Sequence, residues 1–149
     1  MEYETLVRTS HGVSQNTYHL IWCTKARCPA FKRAGMQRVV ADFVKRSAKR
    51  HNIQIFECRV AQDHVHVFAR LPRGMAVARA LQLLKGNSAY YLRRYCRPLL
   101  KYKALWSKFT FSRTVGSVTG AVIEHYIKES NTKGWYGAQI KLQRYTDLA

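Results

Sequence analysis

Two hydrophobic periods alternate along the chain. Asn16–Lys25, reading NTYHLIWCTK, is rich in β-branched and aromatic residues and predicts a strand. Pro29 and Gly35 then mark a loop. From Met36 the period changes: Met36, Val39, Val40, Phe43, Val44 and Ala48 fall at helical spacing, with Arg38, Lys45, Arg46 and Lys49 elsewhere on the surface. This helix should end near His51–Asn52, and Ile53–Val60 reads as a strand. A turn near Ala61–Asp63 leads into a third extended segment that Pro72 and Gly74 stop.

Helical spacing returns from about Met75 to Cys96, with Val77, Ala80, Leu81, Leu84, Ser88, Tyr91, Leu92 and Tyr95 as the expected buried stripe and Pro98 as the stop. Ser107–Gly116 reads as a fourth strand and Ser117–Ser130 as a third helix. Residues 1–13 read as a loose arm, and Asn131–Ala149 gives no clear period. The order is strand, helix, strand, strand, helix, strand, then an extra helix. That predicts an α+β, ferredoxin-like β-α-β-β-α-β antiparallel sheet, with two helices on one face and a C-terminal helix carrying a tyrosine. The chain reads as a single domain over residues 1–149, with a core of about 14–131 and a tail of 132–149.

Charge changes the picture. The 149 residues carry 26 Lys and Arg against 8 Asp and Glu, a formal charge of +18. Such a field attracts a polyanion, and nucleic acid is the first candidate. No apolar run approaches the roughly 20 residues of a membrane span, and the first residues lack the pattern of a signal peptide. Cys23, Cys28, Cys58 and Cys96 form no C-x-x-C pair, so a reducing, cytoplasmic setting without disulfides is expected. A zinc site drawn from Cys23, Cys28 and two histidines is a further arrangement the spacing allows.

The third strand carries the chemistry. In QDHVHVFARLP, His64 and His66 stand two residues apart and share one face of an extended chain. Val65, Val67, Ala69 and Leu71 make the opposite face apolar. The apolar side should meet the helices, leaving His64, His66 and Phe68 on an uncovered face that a substrate can reach. Two neutral imidazoles there can converge on one divalent ion, or serve as ordinary surface histidines. A histidine-triad hydrolase would need a third histidine where Phe68 stands. Tyr126, in AVIEHYIKES, is a candidate nucleophile flanked by His125 and Glu129; a phenol needs a base or metal to become a phenoxide. Its position near Val122 and Ile123 equally suits packing.

YHLIWCTK on the first strand, QDHVHVF on the third and EHYIKES on a late helix, in this order, resemble the insertion-sequence-200-like, single-tyrosine transposases of the HUH type. HUH denotes His, hydrophobic, His, as in His64-Val65-His66. The likeness covers about Asn16 to Asn131. It implies a ferredoxin-like core that dimerises sheet edge to sheet edge, with an active site shared between subunits. It implies Mg²⁺ or Mn²⁺ at His64 and His66. It also implies that Tyr126 cleaves single-stranded DNA at transposon ends, leaving a 5′-phosphotyrosine and a free 3′-hydroxyl. Gly116 and Gly120 would suit a mobile joint to that helix. The family usually offers Gln or Asn four residues after the tyrosine as a third ligand. Ser130 stands there instead, with Glu129 and Asn131 on either side, and Glu129 is the better oxygen donor for a hard cation.

Hairpin ends of single-stranded DNA require cations for phosphates and aromatic faces for bases. Lys25, Arg27, Lys85, Arg93 and Arg94 are the candidates. Two rivals stand beside this reading: a non-catalytic ferredoxin-like RNA- or DNA-binding protein, and a domesticated enzyme acting on repeated palindromes.

Overall fold

A computed structural model describes residues 2–132, with side chains described over residues 4–129. Four strands form the central sheet: β4 (Thr17–Thr24), β5 (Gln54–Val60), β6 (His64–Arg70) and β7 (Trp106–Thr114). Their order is β5-β6-β4-β7, and every neighbouring pair is antiparallel. Helix α1 (Met36–Arg50) joins β4 to β5, and α2 (Val77–Tyr95) joins β6 to β7. The predicted alternation is therefore present, in an α+β fold. A last helix, α3 (Gly120–Thr132), follows β7.

Alternation along the strands separates two packed faces. Leu20 and Trp22 of β4 and Val65, Val67 and Ala69 of β6 join Val40, Val44 and Ala48 of α1 and Ala80, Leu81, Leu84 and Leu92 of α2 in the main core. Helical spacing alone brings these residues to one stripe on each helix. Trp106, at the start of β7, packs edge-on against Trp22 and Phe31 and donates from Nε1 to Ser88 Oγ at 3.0 Å. This gives the buried Ser88 of α2 a reason to be polar.

The expected stripe on α2 is too wide at its outer edge. Tyr95 is 68% exposed and Tyr90 51%, whereas Tyr91 is half-buried. Their rings pair with side chains on the outer surface: Arg94 lies over Tyr90 at 4.1 Å, and Phe43 packs near Tyr95 at 5.5 Å. An aromatic ring can satisfy the helical period while serving cation–π contacts outside the core.

Two sequence expectations are corrected on the other side of the sheet. The face bearing His66 and Phe68 is covered, because α3 packs there through Ile123, Val122, Tyr126 and Ile127 against Phe68, Phe56, Val115 and Val118. Residues 2–13 are also structured. A hairpin of β2 (Leu6–Thr9) and β3 (Gly12–Gln15) precedes β4, and β1 (Glu2–Tyr3) pairs with β8 (Val118–Thr119) just before α3. Gln15 Nε2 donates to Gly116 O and to Thr5 Oγ1, so the arm grips the segment that leads into α3. Short polar strands such as these lack the apolar alternation that reveals a strand in sequence. The tail from residue 133 onward, including its GWYG, lies outside the described residues.

Candidate functional site

Strand pairing assembles the site. His66 of β6 lies opposite Ile21 of β4 and Arg59 of β5, Phe68 opposite His19, and His19 opposite Arg113 of β7. Antiparallel neighbours in register point to the same side. His19, His66, Phe68 and Arg113 therefore share the face beneath α3. His64 and His66 sit with ring centroids 5.0 Å apart, nearly perpendicular.

Each of these two histidines is engaged through the same ring atom. His64 Nδ1 is 2.7 Å from Asp63 Oδ1, and His66 Nδ1 is 3.0 Å from His19 Nε2. Asp63 also binds Arg27, whose Nε is 3.0 Å from Oδ2. Burial alone would raise the Asp63 carboxyl, but its hydrogen bond to His64 and the Arg27 charge hold it below its ordinary value. Asp63 is thus an anion suited to orient His64.

His66 is 3% exposed and His19 1%. Burial, followed by the neighbouring charges of His64 and His19, pushes the His66 pKa down to about 2. Burial and then Arg113 push His19 down to about 3. Both rings are neutral at ordinary pH, the form in which imidazole ligates a metal. Among the described residues, buried His66 Nε2 has no hydrogen-bond partner. That orphaned nitrogen fits a cation ligand beside His64. Among the described residues, however, no group of three His, Cys, Asp or Glu side chains gathers, so the imidazole pair is not completed by a third such donor. Cys23 lies opposite His64 in register, but it does not make a zinc cage with Cys28.

Thr119 caps α3 by accepting a hydrogen bond from Val122 N at 3.2 Å. The helix lays Tyr126 over the row below. The Tyr126 ring is 6.1 Å from His19 and 6.5 Å from Phe68, near parallel to both, and the Arg113 guanidinium is 4.4 Å from its centre. Tyr126 remains half-buried, so its edge is not sealed inside. Glu129 faces Arg113 at 3.6 Å and His125 at 3.4 Å. The side chains of Ser130 and Asn131 lie outside the described residues. Arg59 of β5 forms an ion pair with Glu124, a second tie between the sheet and α3.

Of the candidate DNA contacts, Arg27 borders this site through Asp63, whereas those of α2 do not. Lys85 and Arg93 lie on α2, on the opposite side of the sheet, where Lys85 Nζ donates to Ser107 O and Arg93 to Tyr102 O. Arg94 is spent on Tyr90. Arg27 is held by Asp63, and Lys25 donates its backbone N–H to Leu105 O. Sequence reasoning missed His19, Asp63 and Arg113. A signal for His19 existed: it occupies the face of the first strand that the predicted sheet order sets beside His66 and Phe68.

Comparison with known proteins gives concordant results. A family model described as "Transposase IS200 like" matches residues 12–130. The transposase for insertion sequence element IS200 of Salmonella typhimurium is 29% identical over 128 residues, spanning 84% of this chain and 83% of that protein. The ISDra2 transposase TnpA of Deinococcus radiodurans is 31% identical over 125 residues, spanning 81% of this chain and 88% of that one. A crystal structure of a transposase from Deinococcus radiodurans superposes with a TM-score of 0.67 at 25% identity, covering 83% of this chain and 96% of the other.

Proposed function

The chain belongs to the IS200-like transposase family, and on that premise we propose that it cleaves and rejoins single-stranded DNA with Tyr126 as nucleophile and His64 and His66 as metal ligands. The phenolic oxygen attacks the scissile phosphorus, the bond to the 3′-oxygen breaks, and that oxygen leaves with the phenol's proton. The products are a 5′-phosphotyrosine and a free 3′-hydroxyl. The number of phosphoester bonds is unchanged, so the 3′-hydroxyl can reverse the step without ATP.

The observation that carries this reading is the orphaned His66 Nε2 beside His64, on the sheet face that α3 covers with Tyr126. The imidazole pair would hold Mg²⁺ or Mn²⁺, which when bound polarises the phosphate. Asp63 orients His64, and the Phe68–His19 stack gives Tyr126 a flat apolar seat. The charge of +18 supports a phosphate-rich substrate, with hairpin DNA as the first class to test. Homodimerisation belongs to the same proposal. Strands β5 and β7 end the central sheet, and either edge offers unpaired backbone groups. Sharing of the site between copies would require α3 to leave its own sheet, and the open surroundings of Gly116 and Gly120 are compatible with that.

The test is incubation with end-labelled hairpin DNA and Mg²⁺ or Mn²⁺, followed by denaturing electrophoresis. A covalent species in the wild type that Tyr126→Phe lacks is expected. Persistence of the adduct in Tyr126→Phe would overturn the nucleophile. DNA binding with no adduct under either ion would favour the non-catalytic binding protein.

A further inference from the structure

We propose that His19 is a positioning residue, an acceptor that holds His66 in the tautomer presenting a bare Nε2 to the cation; this rests on the metal reading above. The two rings are joined by one hydrogen bond, His19 Nε2 to His66 Nδ1, at 3.0 Å. Two neutral imidazoles that meet nitrogen to nitrogen share a single proton. If His66 donates, its proton sits on Nδ1 and the lone pair of Nε2 is available. If His19 donates, His66 carries its proton on Nε2, where it cannot ligate a metal. That second arrangement also buries an N–H with no acceptor, because Nε2 has no partner among the described residues.

The surroundings fix the His19 ring strongly. It lies 4.2 Å from Phe68 at an interplanar angle of 5°, with Tyr126 stacked further out on the same row. Its position on β4 is set by register against Phe68 and Arg113. A ring pinned in this way cannot turn aside to release His66. The neighbouring ligand shows the same device with a different acceptor, since Asp63 Oδ1 meets His64 Nδ1 at 2.7 Å. Both histidines are thus engaged at Nδ1, one by a carboxylate and one by a buried imidazole. Outer partners of this kind set the tautomer and the basicity of a ligating histidine.

His19 does not touch the reacting atoms in this proposal, so the test reads the ligand and not turnover. In the metal-free wild type, ¹⁵N–¹H spectra of the imidazoles should show His66 protonated on Nδ1. A proton on Nε2 would overturn the assignment. Calorimetric titration with Mn²⁺ alone, on protein whose fold is verified by circular dichroism, gives the second readout. His19→Leu keeps apolar bulk against Phe68 but removes the acceptor, and should weaken Mn²⁺ binding by roughly 10- to 100-fold. His19→Gln restores an acceptor and should recover most of the loss. Wild-type affinity in a folded His19→Leu chain would overturn this proposal while leaving the metal reading intact. A wild type that takes up no Mn²⁺ overturns the metal reading and this one with it. Should His19→Leu not fold, the His19→Gln titration and the wild-type spectra decide.

Discussion

The Arg113 guanidinium stands 4.4 Å from the centre of the Tyr126 ring and 3.6 Å from Glu129, three residues further along the same helix. One cation on β7 thus touches α3 at two points. A cation over an aromatic face at a partly exposed site contributes about 0.5–1 kcal/mol. Because α3 packs on the sheet through few buried residues, such a contact is a sizeable share of what holds it down.

Replacing Arg113 with Gln should therefore loosen α3 without unfolding the sheet. Amide exchange over Gly120–Thr132 is expected to quicken several-fold, while β4 and β6 remain protected. Unchanged exchange in α3 would show that the apolar contacts alone hold the helix.

The N-terminal arm should act on the same helix from its other end. Gln15 and Thr5 bind Gly116 O, and β1 pairs with β8. Deleting residues 1–11, all of which precede the region matched by the family, should raise exchange in Val118–Thr119 and in the first turn of α3. A deletion that leaves those amides as protected as before would reduce the arm to a passive appendage.

Ser88→Ala tests the main core. It leaves the buried Trp106 Nε1–H without its acceptor, at a cost of about 1–3 kcal/mol in unfolding free energy. Urea denaturation should show a lower midpoint with an unchanged slope.

Acid should destabilise the metal-free protein well before ordinary carboxylates titrate. His19 and His66 have folded pKa values of about 3 and about 2, below the ordinary 6.5. The unfolded chain then binds more protons than the folded one at pH values below 6.5. Their contribution is complete above that value and is lost as pH falls toward the folded values, by about 1.4 kcal/mol per pH unit for each proton. Melting temperature should be flat above pH 7 in this respect and fall between pH 6.5 and 4. A melting temperature constant over that window would mean that the rings are not held neutral.

Much of this architecture is legible in sequence because one physical rule dominates. Where one face meets a core, apolar residues must recur at the period of the element, as in Val65, Val67 and Ala69 or Val40, Val44 and Ala48. The rule fails where little is buried. The hairpin Leu6–Gln15 is mostly exposed and carries no such imprint. It also misreads Tyr95, whose ring keeps the helical period while remaining outside the core. The site was legible as far as it is local: His64 and His66 are two residues apart. His19 and Arg113 reach them only through strand pairing, 47 residues separating His19 from His66 in the chain. The cover that α3 places on the histidine face is likewise a tertiary fact, encoded in a weak apolar stripe of Val122, Ile123, Tyr126 and Ile127.

Strand β6 serves two masters at alternate positions, and this restricts how the gene segment encoding it can change. A single-codon insertion within His64–Arg70 would reverse the facing of the residues on one side of it, breaking the alternation that sends Val65 and Val67 to the main core and Phe68 to the α3 side. The main core and the arrangement beneath α3 should then be lost together, whereas point changes at the histidines disturb only the second. Length variation among viable descendants of this chain should accordingly be excluded from that segment and accumulate in the connecting loops.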